Sequence, residues 1–411
     1  MKTEELCPEK KNCCGCGVCI NICPQNAIRF NEDKDGFLYP EIDEDRCINC
    51  LKCKKICAFQ NQIKNVSIKE TYVAVSKNTN VLESASGGLF ASYAISVLEN
   101  GGLVYGCAML EKNGKLYPKH IGISKKSELW RLKGSKYVQS DMGTVYYDIR
   151  QQLENEITVL FSGTPCQVSS LKKYLGKEYT NLYTIDIICH GVPSIKLFQD
   201  YLAYTERKMQ GRVTEFHFRD KTAGWKLYGQ MTIQREDGQE KVVHFEPEKS
   251  SYYQMFLEMY TYRENCYNCP YASDNRPGDI TIGDYWCIDL VHPELMYDNG
   301  GDIEPEKGVS CMIINNSHGQ QLLKTYGKGI QRFKSSYEKA AKYNGQLSKP
   351  STLKPERKKV FEIYRRDGYS ALDSWYNRKM IPVRIGRKVR SSIPAPVKGM
   401  IKAVLRRGKV E

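Results

Sequence analysis

Two cysteine runs of identical spacing within residues 13–57, two successive strand–turn–helix units before residue 200, and a lysine- and arginine-rich end predict a multidomain α+β and α/β protein. The expected order is a bacterial-type dicluster ferredoxin domain (residues 1–62), a mixed-sheet α/β body (71–330), a helical extension (331–377) and a basic tail (378–411).

The first element rests on Cys13, Cys16, Cys19 and Cys23 followed by Pro24, then Cys47, Cys50, Cys53 and Cys57. Three thiolates in step can wrap one face of a 4Fe-4S cubane, and the fourth of each run crosses to the other cluster in two-cluster ferredoxins. The expected sets are therefore Cys13, Cys16, Cys19 and Cys57, and Cys47, Cys50, Cys53 and Cys23. Zinc knuckles or disulfides fit less well, because zinc sites use paired Cys-x-x-Cys units without a third cysteine in step. The second run ends Cys57-Ala58 rather than Cys-Pro, which removes no ligand.

The body follows a polar connector at 61–71. Thr71–Ser76 reads as a strand, and Ser86-Gly87-Gly88 opens a helix over Leu89–Leu98 that Gly101-Gly102 stops. Leu103–Met109, His120–Ser124 and Glu156–Ser162 are strand-like. The last of these runs through Gly163-Thr164-Pro165-Cys166 into a helix over Val168–Leu175. Leu182–Cys189 is a buried-type strand, and Ser194 suits the N-cap of the next helix. Beyond residue 210, Val213–Arg219, Lys226–Gln234 and Glu240–Phe245 form an antiparallel set with a turn at Asp237-Gly238. A helix over Ser251–Tyr260, strands at 279–284 and 308–315, and a helix over Gln320–Lys328 complete the body.

Hydrophobic residues at 41% and charged residues at 26% of 411 are ordinary for a soluble protein. No apolar run nears the roughly 18 residues needed to span a bilayer. Seventeen cysteines without a readable secretory signal predict a reducing, cytoplasmic setting. From Arg378 to Glu411 eleven Lys or Arg face one acid, so +10 of the formal +14 lies there, leaving the body near neutral.

Cys166, Cys189, Cys266 and Cys269 sit where strands end or turns begin, the places where α/β sheets collect ligands. They could complete a third cubane; the alternative is buried, metal-free thiols. Cys107, Cys287 and Cys311 lie in apolar, strand-like runs and are expected in the core. Cys14 is expected to be no ligand, and Cys7 to be an unpaired tail residue.

Six ordered stretches carry a family resemblance: Ser86 to Phe90, Gly134 to Ser140, Phe161 to Gln167, Cys189 to Ser194, Phe218 to Lys221 with Gly224-Trp225, and Asp279 to Trp286. Over roughly residues 71–330 they resemble the coenzyme F420 hydrogenase/dehydrogenase beta-subunit family, with the ferredoxin module fused in front. The resemblance implies FAD beside an iron–sulfur cluster. Ser86, Gly87 and Gly88 at a helix start suit the FAD pyrophosphate, unless the glycine pair is only a turn. Ser135, Lys136, Gln139 and Ser140, with Tyr137 among them, would meet the isoalloxazine, unless that loop is solvated surface. His190 could tune flavin or substrate, or be satisfied by its own loop. Arg219, Lys221 and Trp225 could face a substrate edge or pack in a hairpin.

In the tail, Pro382, Pro394 and Pro396 argue against one long helix. Val397, Met400, Ile401, Val404 and Leu405 share one helical face flanked by Lys402, Arg406 and Arg407, a pattern suited to the inner face of a membrane; the alternatives are a flexible solubilising tail or one that docks on a partner. Nucleic acid is not expected, because no binding fold accompanies the charge.

The sequence thus predicts an iron–sulfur flavoprotein oxidoreductase acting on a small organic substrate, for which the family suggests a deazaflavin coenzyme. A redox partner protein or small carrier is expected, as is assembly into a homo-oligomer or a larger complex. The rival readings are a non-catalytic electron-transfer subunit, or a reductase of glycan or cofactor biosynthesis.

Overall fold

The computed structural model describes residues 1–62, 70–77 and 84–392, with side chains to residue 386. In the N-terminal unit, β1 (Ile28–Glu32) and β2 (Leu38–Ile42) form an antiparallel ribbon. Short helices at Val18–Ile22 and Lys52–Ile56 hold one cysteine of each run, Cys19 and Cys53.

The body is one eight-stranded mixed sheet. Its strands are β3 (Glu70–Ser76), β4 (Leu103–Lys112), β5 (Lys115–Ile123), β6 (Val159–Gly163) and β7 (Leu182–Ile187). A three-stranded antiparallel sheet follows, made of β8 (Arg212–Asp220), β9 (Tyr228–Gln234) and β10 (Glu240–Phe245). The chain then returns to the large sheet with β11 (Ile280–Asp284), β12 (Ser310–Ile314) and β13 (Ile330–Ser335). The order across the large sheet is β13-β3-β12-β11-β7-β6-β4-β5. Its centre, β4, β6, β7 and β11, is parallel, and the remaining pairings are antiparallel.

The parallel centre follows from apolar segments separated by helices. Helix Leu89–Glu99 precedes β4, and helix Pro165–Leu175 crosses from β6 to β7. The latter starts at a capping box between Thr164 and Gln167 with Pro165 in its first turn, and ends at Gly176 in the left-handed region. Ser194 caps helix Ile195–Met209 by accepting from the Leu197 amide. Buried Leu160, Ile185, Ile280, Met312 and Ile314 pack one face of the sheet. A separate aromatic core, including Phe198, Phe216, Phe218, Tyr252 and Phe361, joins β8–β10 to the helices around it.

Two expectations change and one lies beyond what the structure describes. The helix after residue 355 spans Glu356–Ser392, broken at Gly368 (φ 74°) and continuing through Pro382, so that proline does not end it. Residues 393–411, which include the apolar face expected at 397–405, lie outside the described residues. Cys287 is not in a strand: it precedes the short helix Ile288–Val291 with φ 55°. Among the described residues no helix is long and apolar enough to cross a membrane.

Candidate functional site

A cavity of about 440 Å³ opens at the carboxyl ends of the parallel strands, where ligands collect in sheets of this kind. Cys107 of β4, Ser162 of β6, Ile187 at the end of β7 and Asp284 of β11 reach its wall. All four body cysteines, Cys166, Cys189, Cys266 and Cys269, line it as well. Cys166 lies in the first turn of its helix, and its sulfur is 3.2 Å from the Thr164 hydroxyl. Cys189 is held by a loop in which Gly191 (φ 143°) packs so tightly on Tyr262 that a Cβ would lie 2.3 Å from its ring.

These four thiols are one another's neighbours. Burial, then repulsion from Cys266, Cys166 and Cys269, raises the Cys189 thiol well above its ordinary range. Burial, then Cys269, pushes Cys266 up to about 12. Cys166 runs the other way, lowered to about 7 chiefly by the neighbouring Cys14 thiol. The other three have their ionisation opposed by burial and by one another, a strain that a bound cationic metal core relieves, since coordination deprotonates thiols outright.

The N-terminal cysteines separate into the two crossed sets. Cys23 lines one small cavity with Cys47, Cys50 and Cys53. Cys57 is pushed up to about 11 by burial and then by Cys16 and Cys13, and the same two flank Cys19. No three described His, Cys, Asp or Glu side chains close on a point as they would around one ion; four thiols around a wider space suit a multi-iron group. Cys14 is buried among Cys16, Cys57, Cys166 and Cys269, so it lies between the inner N-terminal set and the body set. Cys7 forms no disulfide, as expected, and its thiol donates to the Glu9 carbonyl at 3.5 Å.

Ser84, Ser86, Gly88 and Leu89 bring the start of helix Leu89–Glu99 to the same cavity. Gly88 occupies the N-cap with φ 77° and no side-chain cap, leaving first-turn amides without intrahelical partners. The Gly87 amide is not among the free donors, because it donates to the Ser310 hydroxyl at 2.8 Å. Gly87 is needed for packing instead: a Cβ would meet the Ala74 carbonyl oxygen at 2.7 Å. The Ser84 hydroxyl is buried and, among the described residues, has no partner. An uncapped helix start, an orphaned hydroxyl and a nearby lysine fit an anionic, polar-edged ligand such as FAD.

Ser135, Lys136 and Tyr137 line the cavity. Burial lowers Lys136 to about 8, although nearby Cys107 opposes the shift, and its ammonium donates to the Lys133 carbonyl at 2.6 Å. Tyr137 stacks on Phe256 with centroids 4.4 Å apart. Gln139 and Ser140 reach the wall, but their donors are engaged. The Gln139 amide nitrogen donates to Gly15 and Cys14 carbonyls at 3.1 and 3.3 Å. Ser140 accepts from Gln167 at 2.9 Å and pairs with His120 Nδ1 at 2.9 Å, while His120 Nε2 faces the Ser162 carbonyl at 3.2 Å. Burial holds His120 down at about 4, so the ring is neutral. His190 opens into the cavity, and the protein packed around it lowers its pKa.

Arg219 does not line the cavity. It is buried behind the wall with its guanidinium 2.8 Å from Asp284 Oδ2. Asp284 Oδ1 accepts from the Ser86 hydroxyl at 2.7 Å and the Trp225 indole at 2.9 Å. Trp225 stacks on Trp286 at 5.3 Å, and the Lys221 ammonium donates to the Ser86 and Lys307 carbonyls. Roles for Asp284, His120 and Arg263 are not legible in the sequence: Asp284 falls within one of the six ordered stretches, and His120 and Arg263 fall in none.

Cysteine sets leading from the surface ribbon to a cavity at the mouth of a mixed sheet define an iron–sulfur electron-transfer protein. Residues 157–334 match the family model for the C terminus of the coenzyme F420 hydrogenase/dehydrogenase beta subunit, and residues 12–61 match the 4Fe-4S dicluster domain. The chain thus joins a two-cluster ferredoxin domain at its N-terminal end to a segment related to the C terminus of the F420 hydrogenase/dehydrogenase beta subunit. A stretch of 89 residues is 27% identical to acetyl-CoA decarbonylase/synthase complex subunit alpha 1 of Methanosarcina barkeri, covering 20% of this chain and 11% of that protein. An uncharacterised ferredoxin of Methanocaldococcus jannaschii is 32% identical over 53 residues, 13% of this chain and 68% of that protein. A chain of the F420-reducing nickel–iron hydrogenase complex from Methanosarcina barkeri aligns with TM-score 0.41 and 15% identity, covering 73% of this chain and 92% of that one.

Proposed function

We propose that the protein is an FAD- and iron–sulfur-dependent oxidoreductase that exchanges electrons between a redox partner and a small organic substrate. The supporting observation is the shared wall: the four body cysteines, the helix start at Gly88 and Lys136 line one cavity, and Cys14 joins that wall to the inner ferredoxin cysteines.

In this reading Cys23, Cys47, Cys50 and Cys53 hold the outer cluster and Cys13, Cys16, Cys19 and Cys57 the inner one. Cys166, Cys189, Cys266 and Cys269 hold a third. The exposed Ile48 and Leu51 beside Cys50 present the outer set to a carrier protein. When bound, FAD exchanges single electrons with a cubane and electron pairs with an organic substrate. The amides of Leu89 and Phe90 and the Ser84 hydroxyl bind its phosphates, and Lys136 places a cation beside the flavin. Neutral His190 holds or accepts a proton at the mouth, and Asp284 orients Ser86 and Trp225. Arg219 supports Asp284 from behind rather than touching substrate.

The substrate to try first is the deazaflavin coenzyme. Anaerobically purified protein should contain FAD, and a one-electron donor should bleach it and then reduce the coenzyme. Protein that holds its iron but binds no FAD, or that reduces no small acceptor without a second subunit, overturns the enzymatic reading in favour of an electron-transfer subunit.

A further inference from the structure

Among the described residues, three buried or partly buried guanidinium groups meet a carboxylate, and the fully buried Arg263 does not. Arg276 meets Asp186 at 2.5 Å, Arg219 meets Asp284 at 2.8 Å, and partly buried Arg365 meets Asp35 at 2.8 Å. Arg263 has no measurable exposure, yet among the described residues it forms no ion pair with a carboxylate. Its Nε donates to the Cys13 carbonyl at 2.8 Å and one terminal nitrogen to the Leu38 carbonyl at 2.9 Å. The same nitrogen lies 3.5 Å from Cys13 Sγ, and the other lies 3.4 Å from Gln139 Oε1. The Tyr39 ring covers the guanidinium at 4.0 Å.

Neutral carbonyls and a ring do not balance a fully buried cation, and an unpaired buried charge is strongly disfavoured. The anion absent from the carboxylates is available at Cys13. Four thiolates around an oxidised cubane carry a net charge of about −2, which becomes more negative on reduction. Gly15 keeps the approach open, because a Cβ there would lie 3.1 Å from the guanidinium carbon.

We propose that Arg263 is the counter-cation of the inner cluster and sets its reduction potential, acting as a positioning residue that also joins the ferredoxin unit to the body. The inference rests on the assignment of Cys13, Cys16, Cys19 and Cys57 to one cluster. A fixed cation beside a cluster ligand stabilises the more negative, reduced state and raises the potential. The outer cluster, held by the other set, is not touched by Arg263.

The test uses the full chain, purified anaerobically as Arg263→Gln and Arg263→Lys, with iron content and EPR-monitored redox titration of each cluster. Iron and two N-terminal signals in the parent establish the cluster assignment independently, and their absence there sinks that assignment rather than the role of Arg263. Arg263→Gln is expected to keep both signals and to lower the inner cluster's reduction equilibrium at least tenfold, which is 59 mV for one electron. The outer potential should stay in place. Arg263→Lys, which keeps the charge but loses the fork to Leu38, should restore most of the shift. An unmoved inner potential in Arg263→Gln overturns the proposal. If Arg263→Gln loses its iron, Arg263→Lys decides: a potential near the parent value supports the proposal, and one displaced tenfold despite the retained charge overturns it.

Discussion

The Arg219 guanidinium and the Asp284 carboxylate form a buried pair 2.8 Å apart, and the same carboxylate collects Ser86 and Trp225. Replacing Asp284 with Ala leaves Arg219, whose side chain is 2% exposed, without its anion. Removing one partner of a buried pair costs about 3–5 kcal/mol. Denaturant unfolding of the reconstituted protein should show a loss of that size, and a loss below about 1 kcal/mol would mean that the pair is solvated.

Three cubanes predict about twelve iron atoms per chain. Cys269→Ser should remove roughly a third of them and spare the two ferredoxin signals, whereas Cys16→Ser should damage those signals and leave the body set. Iron near eight in the unmodified protein would return Cys166 and Cys189 to ordinary core thiols.

The adjacent glycines should respond differently to substitution. Gly88→Asp places a negative charge and a side chain at a φ of 77° on the uncapped helix start. FAD affinity should fall on the order of a thousandfold, or about 4 kcal/mol. Gly87→Ala drives a methyl into backbone at the Ala74 carbonyl and the Ser310 amide, so it should cost about 1–3 kcal/mol of stability. Flavin content and thermal unfolding of both variants separate the two effects; a Gly88→Asp protein with tightly bound FAD would place the pyrophosphate elsewhere.

His120 makes stability depend on pH. Burial lowers it from its ordinary 6.5 to about 4, so the unfolded chain takes up a proton at a pH where the folded protein does not. Its contribution is therefore complete above about pH 6.5 and is lost as pH falls toward 4. The loss is about 2 kcal/mol by pH 5 and about 3 kcal/mol in all. The stability difference between the parent and His120→Gln should narrow by that amount between pH 7 and 5, and a pH-independent difference would show the ring to be charged or accessible.

Local patterns made most of the architecture legible. The segments Leu182–Cys189 and Glu240–Phe245 declare themselves by apolar character or flanking turns, and the cysteine spacing alone marks the N-terminal segment as a two-cluster ferredoxin domain. The side-chain partners within the site were not readable in the same way. Arg263 and Cys13 are 250 positions apart, and Ser86 and Asp284 are 198 apart, so only the crossing of the sheet brings them together. Short-range reading also overassigned the Gly134–Ser140 stretch. Gln139 and Ser140 have the right chemistry for a flavin, but Gly15 and His120 engage them first. Pro382 misled for a related reason, since a proline in a helix loses one hydrogen bond but packing can still carry the helix onward.

In the proposed ligand assignment Cys23 and Cys57 are exchanged between the two N-terminal sets, and that bears on assembly. Because each set borrows its last member from the far run, occupying either one draws the two ends of the segment together and closes the loop for the other. The ordering entropy of that closure is borne mainly by the first occupant. Metallation of the ferredoxin unit should therefore proceed as an all-or-none event, with singly loaded chains scarce at every stage of iron titration.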